Sequence, residues 1–364
     1  MQVTIAVWAK MRMFPDDDVD VILSDHSANA EKYAEGLRKS GIFRRVKYIE
    51  TKYIWRSYSN MQKVFDACRM LFHNNMYSRM LWDDGIDYDR IFFFNACLEL
   101  SAFFEKAIRF SGGRKIPELI RYEEGLFSTG RLLAFEPEGR QKLAYIFDKL
   151  RGRLSIFDNT HTFMCFYPEL LGVKSPGDCP DKLKDYSVIR IPAITEDRDF
   201  LTCINTVFDY DPSADSFPQK YIYFQTAIDV EFHISEIDFI LKVSEVVGKD
   251  NLLVKIHPRS EADVYRRAGL NVIKNTSIPW EVVQLNHDFK NHVFVSLCSG
   301  SVFNITAMKN ENIPVFMLYP MSAGMDKRLD AGTYNIDKMI KCFKSAGLCE
   351  SIKVTGNIED VLQA

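Results

Sequence analysis

The chain has 364 residues, with 46 Lys and Arg against 49 Asp and Glu, and a net charge of −3 at pH 7. That balance excludes a general attraction to nucleic acid or to anionic membrane, so any anion site has to be local. A hydrophobic content of 47% is that of a soluble globular protein, and the length suits two domains, each with its own core.

No run approaches the roughly 20 apolar residues that cross a bilayer. The opening Met1-Gln2-Val3-Thr4-Ile5-Ala6-Val7 has neither a basic leader nor a small-residue cleavage site, so it reads as the first strand of a sheet rather than a signal peptide. Cys68, Cys97, Cys165, Cys179, Cys203, Cys298, Cys342 and Cys349 show no Cys-x-x-Cys spacing. They read as reduced, mostly buried thiols of a cytoplasmic protein, with no zinc site.

Val3 to Trp8 is expected as strand one and Val19 to Leu23 as strand two. A helix from about Ala28 to Lys39 and a strand from Arg45 to Ile49 complete a β-α-β pattern. In the first loop, Asp16-Asp17-Asp18 has the acidic density of a divalent-metal motif. It precedes a strand, and no other ligand cluster supports an ion, so it reads as a solvated loop. Met61 to Met80 follows as a long amphipathic helix, its Met61, Val64, Phe65, Cys68, Leu71 and Phe72 stripe being core rather than a cofactor box. Arg90 to Asn95 is then a strand buried on both faces, and Leu98 to Phe110 a helix ended by Gly112-Gly113. A strand near Glu118 to Tyr122 delivers Glu123-Glu124-Gly125 into a loop.

From Phe157 to Pro192, Pro168, Pro176, Pro180 and Pro192 interrupt the pattern, which suits an interdomain connection. The expected division is a first domain over 1–155, a connection over 156–184 and a second domain over 185–364. In the second domain, strands are expected at Lys220 to Phe224, Leu252 to Ile256, Leu270 to Ile273, Val293 to Leu297 and Ile313 to Leu318. Helices are expected at Ile234 to Val247, around Pro279 to Leu285 and from Val302 to Met308. The fold class is therefore α/β, with two Rossmann-like, doubly wound domains facing a central cleft.

Three strand ends carry candidate chemistry. Pro258 cannot continue a central ladder, so His257 sits at the carboxyl end of its strand, where ligands bind in open α/β sheets. There an imidazole either performs chemistry or only hydrogen-bonds its turn. Arg259 beside it is either a contact for an anionic substrate or a solvated charge. Cys298-Ser299-Gly300-Ser301 joins a strand to a helix start, whose backbone N–H groups, dipole and two hydroxyls would cradle a phosphate. The bland alternative is a serine that caps its helix. Of the adjacent Glu123 and Glu124, one can point into a cleft and act as a general base, the alternative being an exposed turn. Asp229 follows the first strand of the second domain and overlooks the same cleft.

An acidic pair with glycine, a His-Pro after a later strand and a still later serine turn, in that order, resemble the bacterial sialyltransferases of glycosyltransferase family 52. Related patterns occur in bacterial polysialyltransferases and Pasteurella-type sialyltransferases. The resemblance runs over about residues 120 to 305. It implies a GT-B fold, a CMP-sialic acid donor, an inverting reaction and no metal or other cofactor. Carried onto this sequence, it makes Glu123 the base for the acceptor hydroxyl, His257 the group assisting the departing phosphate, and Ser299 and Ser301 its holders, with Gly125, Pro258, Arg259 and Gly300 lining the substrate. Aspartates are common where this chain has glutamates, which leaves Glu124 and Asp229 as alternative bases. The implied partners are a nucleotide-sugar donor and a surface-glycan acceptor, such as lipooligosaccharide or capsule. The setting would be cytoplasmic, at the inner face of the membrane, with peripheral membrane association and a homodimer both open to such an enzyme. The rival readings are a GT-B-like transferase with another activated donor, or a catalytically silent glycan- or nucleotide-binding protein on the same scaffold.

Overall fold

Parallel pairing joins the strands among the described residues, and it places the strand ends named above at the carboxyl edges of their sheets. The computed structural model describes residues 2–25, 29–50, 61, 82, 87–95, 97–123, 137, 142, 145–146, 149–150, 152–168, 171, 186–195, 197–226, 228, 235–257, 260–302, 309, 311–325, 336–337, 340–341, 343–345, 347 and 350–364. Among them, β1 (Asp20–Ser24) pairs with β2 (Arg45–Ile49), and a second sheet has the order β3 (Arg90–Phe93), β4 (Glu118–Tyr122), β5 (Thr160–Cys165), β6 (Ser187–Arg190). A third sheet has the order β11 (Ile352–Val354), β10 (Val315–Met317), β9 (Val293–Ser296), β7 (Tyr221–Phe224), β8 (Leu252–Lys255). Every one of these pairings is parallel. The chain is thus α/β, with two Rossmann-like units.

The helices that position these sheets are α1 (Gln2–Arg12), α2 (Ala30–Ser40), α3 (Leu98–Phe110), α4 (Ile156–Asn159), α5 (Arg198–Phe208), α6 (Ile237–Val247), α7 (Ala262–Arg267) and α8 (Trp280–Asn286). The third sheet is buried on both faces, as a parallel sheet between helices must be. Ile222, Phe224, Phe294 and Met317 face a core shared with α1, α2, α5 and α8. Tyr221, Tyr223, Val295 and Phe316 face Phe239, Ile240 and Val243 of α6.

Helix α5 ties the two units together. Gly36 of α2 meets Val207 of α5 so closely that an added Cβ would lie 1.9 Å from the Val207 carbonyl oxygen. The Trp8 ring of α1 stands edge-on to Phe200 of α5 at 4.9 Å. On its other side, α5 exchanges reciprocal amide hydrogen bonds with α8, Asn205 to Asn286 at 2.8 Å and Asn286 to Asn205 at 2.7 Å. Tyr33 of α2 donates to the Ser277 carbonyl at 3.0 Å, just ahead of α8.

Several expectations are corrected. Val3 to Trp8 is helix, not strand: its β-branched alternation yields to tertiary packing, with Thr4, Ile5, Val7, Trp8 and Ala9 all buried in α1. The expected connection over 156–184 contains β5, whose Phe163, Met164 and Cys165 are buried. β6, placed by sequence in the second unit, pairs with β5 instead, so the second sheet runs to Arg190. Leu270 to Ile273 contributes a single parallel bridge, Val254 to Val272. Cys165 is buried, whereas Cys97, Cys203 and Cys298 are half-buried; all four are free thiols. Of the expected helix at Met61 to Met80 only Met61 is described, and it is exposed rather than core; most of the helix expected at Val302 to Met308 lies outside the described residues. No helix among the described residues is long and apolar enough to cross a membrane.

Candidate active site

In the third sheet the chain enters at β7, places β8 on one side of it and β9 on the other. That reversal is a topological switch point, and the crevice beyond the carboxyl ends of its strands is the usual ligand site of such a sheet. Three of the loops singled out by sequence leave from that edge, after β7, β8 and β9.

The β7 and β9 ends are stitched together. Fully buried Ser296 donates to the Phe224 carbonyl at 2.8 Å and accepts from the Ser299 backbone N–H at 2.8 Å. Ser299 in turn accepts from the Ser301 N–H at 3.4 Å, so it does cap the turn at the helix start. A capping oxygen keeps its hydroxyl proton, and Ser299 can still donate to an anion. Ser299 is buried and Ser301 half-buried. From the β7 side, the Thr226 hydroxyl accepts the Cys298 backbone N–H at 3.4 Å.

Behind this turn lies a buried carboxylate that sequence reasoning missed. Glu236 caps the start of α6 in position but sends its side chain back to β7, where it accepts from Tyr223 Oη at 2.9 Å, the Thr226 N–H at 2.8 Å and the Thr226 hydroxyl at 3.3 Å. Burial, then the Glu236 charge, raise the Tyr223 phenol well above its ordinary range, so it stays a donor. The only sequence signal was an acid directly before an apolar helix, a position shared with ordinary solvated residues.

His257 lies two residues beyond β8 and is half-buried. Its backbone N–H donates to Gln225 Oε1 at 2.6 Å and its carbonyl accepts from the Ser260 N–H at 2.9 Å. Gln225 Nε2 donates to Ser260 Oγ at 3.0 Å, so one buried amide fixes both ends of the His257 turn. Two positions earlier, Lys255 donates to the Ile256 carbonyl at 3.3 Å. Desolvation lowers its proton affinity, and the charge of Glu281 partly offsets that.

Glu123 follows β4 in the second sheet, again at a carboxyl end, with its N–H donating to the Met164 carbonyl at 3.0 Å. It is fully buried, which excludes the exposed-turn reading at this position. Arg121, two residues earlier and so on the same strand face, lies about 7 Å away along the chain. Desolvation holds the Arg121 guanidinium down to about 10, which leaves it charged at neutral pH, and its Nε donates to the Phe94 carbonyl at 3.2 Å. Its i, i+2 relation to Glu123 was legible but unread.

The structure thus places Ser299, Gly300 and Ser301 after β9 at the switch point, His257 after β8 on the far side of β7, and Glu123 at the carboxyl end of a strand in the other sheet. Glu124, Gly125, Asp229, Pro258 and Arg259 lie outside the described residues. The Asp16–Asp18 loop is ion-paired rather than merely solvated: Asp17 meets Arg90 at 2.8 Å and Asp18 meets Arg44 at 3.4 Å. It precedes β1, on the edge opposite the carboxyl ends. No group of three or more metal-ligating side chains occurs among the described residues.

No protein-family model matches the chain, and no curated protein does. Similar solved structures include the following two. One is an α/β-galactoside α-2,3-sialyltransferase from the luminous marine bacterium Photobacterium phosphoreum, at 12% identity and a TM-score of 0.48, over 95% of this chain and 99% of that one. The other is a Listeria monocytogenes protein assigned as a UDP-N-acetylglucosamine 2-epimerase, at 10% identity and a TM-score of 0.37, over 95% of this chain and 94% of that one.

Proposed function

We propose that the chain is an inverting glycosyltransferase that moves sialic acid from CMP-sialic acid to a hydroxyl of a cell-surface glycan, without a metal. The observation that supports it most is the placement of Glu123 and His257, each just past the carboxyl end of a parallel strand in separate sheets, with the serine turn at the same edge of the histidine's sheet.

A sialyl donor loses its phosphate through an oxocarbenium-like transition state. Negative charge grows on the leaving oxygen while a proton leaves the attacking hydroxyl on the opposite face. In this reading, protonated His257 and the donors of the Ser299–Ser301 turn meet the phosphate, and Gln225 holds the histidine's backbone in register. Glu123 takes the acceptor proton. Arg259 contacts the donor's anionic groups.

The experiment is a donor comparison. Purified chain is offered CMP-sialic acid and UDP- and CDP-linked donors with a galactoside acceptor, and nucleotide release and glycan product are both followed. Turnover of CMP-sialic acid with inversion supports the assignment. Turnover of another donor alone would keep a transferase but change its substrate, and binding without turnover of any donor would make the chain a silent binding protein.

A further inference from the structure

Five of the nine large apolar side chains that stand open to solvent among the described residues fall between Phe110 and Leu154. Ile146 and Leu150 lie one helical turn apart and are 51% and 77% exposed; Leu154 follows the turn at Gly152 and is also exposed. The other side of the same turn is occupied by packing. Tyr145 donates to Asp158 at 3.0 Å and lays its ring edge-on to Phe157, and Lys149 pairs with Asp158 at 2.8 Å. Ile146 and Leu150 therefore form an outward stripe on a segment anchored to α4. Arg153 reaches Glu105 of α3 at 3.5 Å, which joins this segment to α3, beyond whose end Phe110 and Ile116 are exposed as well.

The sequence of both stretches is basic in a chain whose net charge is −3: five basic residues against one acid between 140 and 154, and four against one between 105 and 115. Aliphatic side chains rimmed by Lys and Arg are the chemistry of an interfacial anchor, in which the apolar stripe enters the acyl boundary and the cations meet lipid phosphates. Long basic side chains already cover apolar surface here, as Lys106 does over the Phe110 ring at 5.4 Å. A second copy of the chain fits worse, because a two-fold contact would press this cationic rim against itself. Single-stranded nucleic acid would call for aromatic platforms where this stripe is aliphatic.

We propose that the face carrying Ile146, Leu150 and Leu154 docks on a surface of anionic phospholipid. The patch lies at the amino-terminal ends of β4 and β5, since Ile116 precedes β4 and Leu154 precedes α4, which feeds β5. Glu123 is at the opposite end of β4, so docking leaves the strand carboxyl ends uncovered. The inference stands apart from the reaction proposed above, and its test needs no activity.

Full-length chain is sedimented with vesicles of phosphatidylcholine, with and without phosphatidylglycerol, at low and high salt. It is expected to partition onto the anionic vesicles, less so in high salt, and little onto phosphatidylcholine alone. The Ile146→Asp/Leu150→Asp pair should lower partitioning by about tenfold or more at an unchanged thermal midpoint, two aliphatic side chains having been withdrawn from the acyl boundary. Lys142→Glu with Arg114→Glu should weaken binding and flatten its salt dependence. Failure of the unaltered chain to bind anionic vesicles, or equal partitioning of the Ile146/Leu150 pair, would overturn the proposal. So would a lipid-free dimer that the same pair dissolves, because the face would then serve contact between copies.

Discussion

Gln225 holds His257 from the neighbouring strand: its Oε1 accepts the His257 backbone N–H at 2.6 Å, while its own backbone N–H donates to the Lys255 carbonyl at 2.9 Å. The side chain of one strand end thus completes the turn of the next, and the backbone of His257 is held by a buried amide.

Replacing that amide should uncouple position from stability. Gln225→Leu leaves the His257 N–H without its acceptor at a cost of about 1–3 kcal/mol, and turnover should fall about 10- to 100-fold through misplacement of the imidazole. Donor affinity should change little. Gln225→Glu, which still accepts from His257 but no longer donates to Ser260, should recover part of the rate. Equal turnover in Gln225→Leu and the unaltered chain would show that the histidine needs no such support.

Glu236 is expected to matter for stability more than its place in a loop suggests. Its carboxylate accepts from three donors inside the core, and Glu236→Gln replaces one accepting oxygen by an NH2 group facing Tyr223 or Thr226. Loss of a charge-assisted bond costs about 1.5–3 kcal/mol. Denaturant midpoints should show that loss for Glu236→Gln and a smaller one for Tyr223→Phe.

Acid unfolding should report on Asp20 at the start of β1. Burial pushes its carboxyl up, but hydrogen bonds from Arg44, Arg45 and Tyr88 outweigh it and hold the group at about 2. A folded value below the unfolded one, about 4, means the stabilisation is full above that range and is lost as pH falls through about 2. Asp20→Asn should therefore cost about 2 kcal/mol at neutral pH and almost nothing at pH 2. A pH-independent difference would assign the effect to packing.

Gly36→Ala tests the close approach of α2 and α5. With 1.9 Å between the new Cβ and the Val207 carbonyl oxygen, the helices must separate, a change that typically costs about 1–3 kcal/mol and occasionally more. A thermal midpoint as high as that of the unaltered chain would contradict the packing described.

Much of this was legible in the sequence because hydrophobic periodicity reports burial. Arg45 to Ile49 and Leu98 to Phe110 were readable to the residue, and the strand bearing His257 could be placed from Pro258 alone. The misreadings have physical reasons. Val3, Ile5 and Val7 alternate as a strand would, yet Trp8 anchors on Phe200 and the Pro192 carbonyl and the segment packs as a helix. β5 was hidden by the prolines downstream of it. At the site, terminal positions such as Glu123 and His257 were visible because strand ends are punctuated. Gln225 and Glu236 were not, because their partners lie 32 and 10 residues along the chain, respectively.

The central claim is that a carboxylate at the end of β4 removes the acceptor proton. Glu123→Gln keeps size and most hydrogen bonding but removes basicity, and general base catalysis is worth roughly 100- to 10,000-fold. The deciding measurement is sialyl transfer from CMP-sialic acid by Glu123→Gln alongside its affinity for CMP. The account predicts loss of transfer by at least about 100-fold with CMP affinity retained, and a milder effect of Glu124→Gln. Transfer at the unaltered rate in Glu123→Gln, with Asp229→Asn alone silencing the enzyme, would contradict it and place the base in the second unit.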